Sequence, residues 1–253
     1  DTQGPEAVAL SVNPSLHVET DSGFKISSGP VDILWDFSKL EPRIVLSSKV
    51  KRSFLASYPK KFLSMGYVSP HEASGQILHE LVLVPLTYFL QDIAPIHCSA
   101  FTRNGKAFLL GGTGGVGKTS ALLNLCSTMS IEFLADDITV VSEEGFAYPN
   151  LAYPKIYAYN TEGNKALESL LLAKENWAGK FQWSVLKRIN PSRVRRRISP
   201  ARLYRLPEAK KYPIDTYFVL FRDNSRCVVT EEIDADFMRK LTLSVIKAEY
   251  YVI

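Results

Sequence analysis

One stretch of the sequence decides the fold: Gly111-Gly112-Thr113-Gly114-Gly115-Val116-Gly117-Lys118-Thr119-Ser120. From Gly112 onward it fits G-x-x-x-x-G-K-[ST], the pattern of the phosphate-binding P-loop. Glycines adopt positive φ at little cost, so successive backbone N–H groups can turn toward phosphate oxygens. In such a loop the ammonium of Lys118 reaches the β- and γ-phosphates, and the hydroxyl of Thr119 is a ligand for Mg²⁺.

The flanking residues predict the structure that this loop requires. Residues 107–110 form an apolar run that predicts a buried strand before the loop, and residues 120–125 predict a helix after it. The N-terminus of such a helix favours a bound anion. A glycine-rich turn that contains Lys-Thr by chance is the alternative, and this context disfavours it. The predicted nucleotide-binding residues are Gly112, Thr113, Gly114, Gly115, Val116, Gly117, Lys118, Thr119 and Ser120.

The composition is that of an ordinary soluble globular protein. Of the 253 residues, 46% are hydrophobic and 22% are charged, which allows one large domain or two small ones. The net charge of +4 is too small to argue for nucleic acid as a partner. The three cysteines are scattered and form no C-x-x-C pair, which predicts a reducing, cytoplasmic setting and no structural metal site. The longest apolar run, residues 81–90, contains Pro85 and is too short to span a membrane.

The first part of the chain, residues 1–68, predicts a small β-rich region packed on the rest. Residues 16–20 and 24–27 lie on either side of the turn Asp21-Ser22-Gly23, which predicts a hairpin. Two further apolar runs, residues 33–35 and 44–46, predict additional strands.

The remainder, residues 69–253, is predicted to be the P-loop core, and it begins with a helix. Ser69 can cap this helix, and Pro70 suits its first position. An approximate apolar stripe then continues to Leu90 through a kink at Pro85.

The segment just before the loop predicts an unusual sheet for a nucleotide-binding protein. Residues 96–102 and 107–110 predict two strands, and the tight turn Asn104-Gly105 joins them as a hairpin. The strand that enters the loop would therefore have an antiparallel neighbour directly before it in the chain. The ordinary P-loop sheet is parallel and is built with helical crossovers. The sequence thus predicts an α/β fold with a mixed sheet, unlike small GTPases and the commonest nucleotide kinases.

A strand predicted at residues 131–135 ends in two acids, Asp136 and Asp137. An acid at this place beside a P-loop is typical of the carboxylate that holds Mg²⁺ together with the loop hydroxyl. Adjacent residues of a strand point to opposite faces, so the two acids cannot do one job. One of them, with Asp136 taken as the metal ligand, would hold Mg²⁺, and the other would accept a proton from an attacking hydroxyl. Which acid does which stays open, and a simple acidic turn is the alternative.

The chain after the acids predicts a second hairpin and a candidate groove. The turn Glu143-Glu144-Gly145 separates the apolar runs 138–142 and 146–148. The stretch from Tyr148 to Tyr159 contains two prolines and four tyrosines. It predicts either the lining of a binding groove or a proline-stiffened surface segment.

The last part predicts a helix, a basic loop and a regular end. Residues 161–178 predict a helix, and residues 216–220 and 227–230 predict strands before a final amphipathic helix at 237–250. The run Arg193-Val194-Arg195-Arg196-Arg197 is typical of a solvated loop. Guanidinium groups also suit phosphate binding, so a lid that contacts an acidic substrate is the second interpretation. Its tentative substrate residues are Arg195, Arg196 and Arg197.

Taken in order, these motifs resemble the HPr kinase/phosphorylase superfamily, whose fold is related to that of phosphoenolpyruvate carboxykinase. The resemblance covers the Ile96-His97 strand, the Asn104-Gly105 hairpin, the loop and the strand end Ala135-Asp136-Asp137. It implies that His97 lies near the γ-phosphate and that one aspartate acts as base toward a serine hydroxyl. A core histidine bonded to a backbone carbonyl is the alternative for His97. The bifunctional members of the superfamily have a glycine-rich signature that includes a metal-binding glutamate. This signature is not found in residues 148–163, so the identity of the phosphate acceptor and any phosphorylase activity stay open.

The sequence therefore predicts an ATP- and Mg²⁺-dependent kinase that transfers a γ-phosphoryl group to a hydroxyl, preferably a serine in a peptide or protein. A kinase for a sugar or another small alcohol, and a non-catalytic nucleotide-binding regulator or peptide carrier, are the alternatives. The oligomeric state stays open, with a homo-oligomer among the possibilities. The predicted catalytic residues are His97, Lys118, Asp136 and Asp137, and the predicted metal ligands are Thr119 and Asp136.

Overall fold

The computed structural model describes residues 17–28, 31–39, 43–48, 78–87, 90, 92–150, 152–192, 194–222 and 228–249. They belong to two compact units, one within residues 1–53 and the other within residues 54–249. The boundary predicted between residues 68 and 69 lies outside the described ranges.

The first unit contains a four-stranded antiparallel sheet in which consecutive strands are neighbours. Phe24 and Ile26 alternate with polar residues on β2, Ile33 and Trp35 occupy alternate positions on the next strand, and all four side chains are buried. The rings of Phe24 and Trp35 stack across the two strands with centroids 5.7 Å apart. The hairpin and the two further strands predicted here are confirmed. The strands are β1 His17–Thr20, β2 Gly23–Ser28, β3 Val31–Asp36 and β4 Arg43–Ser48.

The second unit is an α/β structure built on a mixed seven-stranded sheet. Its strands are β5 Ile93–Ile96, β6 Cys98–Arg103, β7 Lys106–Gly111, β8 Glu132–Ala135, β9 Thr139–Ser142, β10 Phe146–Tyr148 and β13 Tyr212–Val219. A separate two-stranded sheet is formed by β11 Lys155–Tyr157 and β12 Arg195–Arg197. In the seven-stranded sheet the strand order is β5-β9-β10-β13-β7-β6-β8. Among the strand pairs of this sheet that the structure describes, β13–β7 is parallel and the others are antiparallel. The predicted mixed sheet is thus confirmed.

The hairpin of β6 and β7 has the predicted turn. Asn104 and Gly105 both have positive φ, 53° and 75°, as a two-residue turn between twisted strands requires. The strand, the glycine-rich loop (residues 111–118) and a helix then follow one another in the predicted order.

The sheet curls back on itself because two of its antiparallel pairs form one interrupted ladder. Ile96 faces Thr139 in the β5–β9 pair, and Ala100 faces Ala135 in the β6–β8 pair. The two pairs have the same register, so β5 followed by β6 runs antiparallel to β8 followed by β9. The pairs nevertheless stand at opposite ends of the strand order. All seven strands therefore contribute to one hydrophobic cluster. Its buried members are Cys98, Ala100, Ala107, Leu109, Leu134, Ala135, Val141, Ala147 and Tyr212, and Ile96, Ile214 and Tyr217 pack against them.

The interruption of this ladder fixes where the site must form. Residues 97–99 lie on one side of the gap and residues 136–138 on the other. Gly111, the last residue of β7, lies opposite Cys98. The glycine-rich loop therefore leaves the sheet beside His97 and the two acids.

The helices of the second unit cover the sheet and the small β11–β12 pair. A π-helical turn at His79–Leu83 leads into α1 Val84–Thr87, so the described end of the predicted first helix is helical. The others are α2 Lys118–Thr128, α3 Lys165–Leu172, α4 Trp177–Ile189, α5 Pro200–Leu203 and α6 Ala235–Glu249, which confirms the predicted final helix. No helix formed by the described residues is long and apolar enough to cross a bilayer.

The helix predicted over residues 161–178 is wrong in its extent. The chain instead forms a 3₁₀ turn at Ala158–Thr161 and then α3 and α4. Asn164 and Asn176 accept hydrogen bonds from the backbone N–H groups of Leu167 and Gly179, and so start a new helix each time.

The loop predicted for the arginine run is also wrong, because residues 195–197 form β12, antiparallel to β11. Val194 and Ile198 on either side are buried among α3, α4 and β11, which draws the arginines into the structure. The strand predicted at residues 227–230 is not formed over residues 228–230, and residue 227 lies outside the described ranges.

Candidate functional site

The glycine-rich loop joins β7 to α2 through three glycines with positive φ. These angles are 129° at Gly112, 76° at Gly115 and 112° at Gly117. At Gly112 a side chain is excluded by space as well, because a Cβ would lie 2.6 Å from the carbonyl oxygen of Leu220. Gly117 is the N-cap of α2, so the free N–H groups of that helix begin at the loop.

Lys118 lies across the base of the loop. Its ammonium donates to the carbonyl oxygens of Gly112 and Thr113, at 2.9 and 3.1 Å. The side chain is buried, whereas residues 113–115 above it are exposed. A positive charge is therefore fixed beneath a loop that opens to solvent, an arrangement that suits an anion.

Asp136 connects the loop helix to the interrupted ladder. Its carboxylate is only 3% exposed and accepts hydrogen bonds from the hydroxyls of Thr119, at 3.0 Å, and Ser99, at 2.5 Å. Burial raises the pKa of Asp136 above the ordinary value, and the nearby Asp137 charge acts in the same direction. Ser99 could not be identified from the sequence, because only the shared register of the two strand pairs places it opposite Asp136.

Asp137 turns to a different set of neighbours. It has a φ of 76°, a left-handed conformation that aspartate tolerates. Its carboxylate accepts a hydrogen bond from Lys155 at 2.7 Å, and Nε2 of His97 lies 3.6 Å away. Burial raises the pKa of Asp137, but His97 and Lys155 outweigh this and hold the pKa well below its usual range. Asp137 is therefore ionised at neutral pH.

His97 occupies the gap between β5 and β6 and is buried. Its Nε2 lies beside the carboxylate of Asp137, and the position near the γ-phosphate that the resemblance implies stays a prediction. Lys155, by contrast, was not singled out. It belongs to the predicted groove segment between Tyr148 and Tyr159, and β11 carries it to the acids.

Two further side chains that the sequence did not indicate reach the loop or the first turn of α2. Arg222, just after β13, donates from Nε to the carbonyl oxygen of Val116 at 3.1 Å. Asn160 donates to the hydroxyl of Ser120 at 2.8 Å. The only signal in the sequence was position, since Arg222 follows an apolar strand and Asn160 follows the tyrosine-rich segment.

The arginine run lies on β12, which pairs with the strand that carries Lys155. Arg196 is 1% exposed, and Arg197 is buried and donates to the carbonyl oxygen of Tyr153. Arg195 is half-buried and donates to the hydroxyl of Tyr157 at 3.2 Å. The structure thus brings together His97, Lys118, Thr119, Asp136 and Asp137, whereas the hydrogen bonds described for the three arginines go to residues other than these.

The donor atoms at the head of α2 fit Mg²⁺. Thr119 and Asp136 offer a hydroxyl and a carboxylate oxygen 3.0 Å apart, and Mg²⁺ prefers oxygen ligands. Among the described residues no group of three or more His, Cys, Asp or Glu side chains could hold a metal ion. Two protein oxygens suffice for Mg²⁺, because it usually shares its coordination with phosphate oxygens and water.

Compared with known proteins, the chain matches neither a family model nor a curated protein. The function is therefore inferred from the chemistry of the site.

Proposed function

We propose that this protein is an ATP- and Mg²⁺-dependent kinase of the HPr kinase type, which transfers the γ-phosphoryl group to a hydroxyl, preferably a serine in a peptide or protein. One observation carries the proposal: the Thr119 hydroxyl donates a hydrogen bond to Asp136 in the first turn of α2, next to the buried Lys118. A hydroxyl, a carboxylate and a lysine in this relation to a glycine-rich loop are what phosphate and Mg²⁺ binding require.

The loop and α2 supply the binding of the phosphates. The first N–H groups of α2 and the glycine-rich backbone would donate to phosphate oxygens, and Lys118 would add its charge. Thr119 and Asp136 would hold Mg²⁺, which when bound neutralises charge on the transferring phosphoryl group. Arg222, at the edge of the loop, adds a second cation near the same phosphates.

Asp137 is the residue best suited to accept the proton of the acceptor hydroxyl. It is ionised, and it is held by Lys155 and His97 rather than by Thr119. A low pKa makes it a weak base, yet phosphoryl transfer passes through a loose transition state in which positioning and charge matter more than covalent chemistry. Lys155 and His97 would keep the carboxylate oriented toward the acceptor.

Calorimetric titration with ATP and Mg²⁺ tests the binding half of this proposal. Lys118→Ala should lower ATP affinity by roughly tenfold or more, because it removes a charge-assisted contact. Lys106→Ala is the matched control, since Lys106 is a surface lysine paired with Asp215, and its affinity should equal that of wild type. Equal affinities for all three proteins would overturn the assignment of the loop.

The transfer half is tested by incubating the protein with γ-labelled ATP and two panels of acceptors. Serine-containing peptides should become labelled, and their alanine counterparts should not. Labelling of sugars or other small alcohols alone would favour the small-molecule kinase. ATP binding without labelling of any acceptor would favour the non-catalytic regulator or peptide carrier.

A further inference from the structure

Helix α4 exposes a row of large apolar side chains beside its buried face. Trp177, Phe181, Val185 and Ile189 are 81%, 57%, 39% and 64% exposed. Their spacing of four residues places them in one row along the helix. Such side chains together expose apolar surface on the order of 400 Å², the size of patches that are often functional. This row, Trp177 to Ile189, is called the apolar ridge below.

The ridge stands on a rigid support. Gly179, Gln182, Trp183 and Leu186 occupy the other face of α4 and are buried. Trp183 is fully buried and donates from its indole N–H to Glu168 at 2.7 Å. A partner would therefore meet a surface that is already ordered, which reduces the entropic cost of binding.

The charge beside the ridge has one sign. Lys180 and Arg188 are exposed on one flank, and neither forms an ion pair with any of the described residues. The sequence of α4 contains no aspartate or glutamate. Lys187 adds a third cation, which pairs with Glu168 at 2.9 Å. The face thus combines apolar side chains with uncompensated positive charge.

We propose that the apolar ridge and its cationic flank are a docking site for an acidic, amphipathic helical segment of a partner protein. A row of side chains at four-residue spacing is the ridge that fits the groove of a second helix. Carboxylates along one edge of that helix would meet Lys180 and Arg188. A second copy of α4 fits poorly, because pairing of two identical faces would bring cations against cations. A flat lipid surface does not match a ridge whose cations lie on one flank only.

Selection from a displayed random peptide library, with peptides of about four helical turns, tests the proposal on the whole protein. Peptides are selected on wild type and counter-selected on the Trp177→Ser/Phe181→Ser variant. The enriched peptides should carry net negative charge and apolar residues at spacings of three and four. On binding, the emission of Trp177 should shift to the blue, because its ring leaves water.

Individual enriched peptides then separate the contributions of the ridge and the charge. Affinity should fall roughly tenfold or more in the Trp177→Ser/Phe181→Ser variant, since buried aromatic anchors dominate such contacts. Lys180→Glu/Arg188→Glu should weaken binding similarly while leaving the ridge intact. Phe237→Ser is the matched control, because Phe237 is 46% exposed on α6, and it should bind as wild type does. Circular dichroism verifies that each variant is folded.

Any one of the following results would overturn the proposal. They are the absence of enriched peptides, enrichment of neutral or basic peptides, binding that survives in both double variants, and ridge-dependent binding to vesicles of phosphatidylcholine with about one-third phosphatidylserine. Ridge-dependent dimers in sedimentation would likewise assign the face to a second copy. None of these measurements involves ATP, so they stand or fall separately from the kinase proposal.

Discussion

Asp136 and Asp137 are adjacent in sequence but bond to different neighbours. Asp136 receives hydroxyl hydrogen bonds from Thr119 and Ser99, whereas Asp137 receives an ammonium hydrogen bond from Lys155. The left-handed backbone at Asp137 makes this separation possible, because a continuing strand would not turn there. The two carboxylates are thus prepared for different tasks.

This separation predicts different defects for two single substitutions. Asp136→Asn should weaken Mg²⁺-dependent ATP binding and also abolish transfer, because it removes a charged ligand. Asp137→Asn should cut the transfer rate roughly a hundredfold or more while ATP affinity stays within about twofold, since only the base is lost. Asparagine tolerates the positive φ at this position, so the backbone should be preserved. Titration calorimetry and labelled-phosphate transfer provide the two readings.

Asp215→Asn is the control for this comparison, because Asp215 is a surface acid that pairs with Lys106. This substitution should change neither the ATP affinity nor the transfer rate. Wild-type turnover in both Asp136→Asn and Asp137→Asn would show that the pair is only an acidic turn.

At the scale of single elements, the buried guanidinium of Arg196 anchors the short strand β12. The guanidinium of Arg196 donates to Glu175 at 3.1 Å and to Gln182 at 2.9 Å. It also lies 5.4 Å from the ring centre of Trp183. These contacts tie β12 to α4 and to the residues just before that helix. Arg196 is therefore a structural residue.

Replacement of Arg196 should consequently reduce stability. Arg196→Gln leaves Glu175 as a largely buried charge without its partner, and breaking such a pair costs about 3–5 kcal/mol. Arg195→Gln is the matched control, since Arg195 is half-buried on the same strand, and we expect a change of about 0.5 kcal/mol or less. Urea unfolding followed by Trp183 fluorescence measures both. Equal stability of the two variants would contradict the structural role.

Across the whole molecule, local patterns predicted the elements and topology determined the site. The β6–β7 hairpin followed from Asn104-Gly105, and the loop and α2 followed from glycine spacing, because these signals lie within a few residues. Ser99 and Lys155 could not be identified, since strand pairings that are distant in sequence bring them to the acids. The loop predicted for the arginine run was wrong for a related reason, because the local charge pattern does not reveal the partners of a buried guanidinium.

The site is assembled from segments that meet only in the folded chain, so ligand binding and folding must be coupled. The segments that contribute to the site are residues 97–99, 111–119, 136–137, 155–160 and 220–222. ATP with Mg²⁺ at about a hundred times its Kd should add about 2.7 kcal/mol to the free energy of unfolding. For a unit of this size that corresponds to a rise in Tm of roughly 5–10 °C.

Thermal unfolding monitored by the helical signal in circular dichroism measures this rise, since the described helices belong to the unit that contains the site. Adenosine, which lacks phosphates, should leave Tm unchanged, because the proposed contacts are directed at phosphate oxygens. Lys118→Ala should abolish most of the rise at the same ATP concentration, whereas Lys106→Ala should retain it. A rise that adenosine reproduces, or that Lys118→Ala keeps in full, would place the nucleotide somewhere other than the glycine-rich loop.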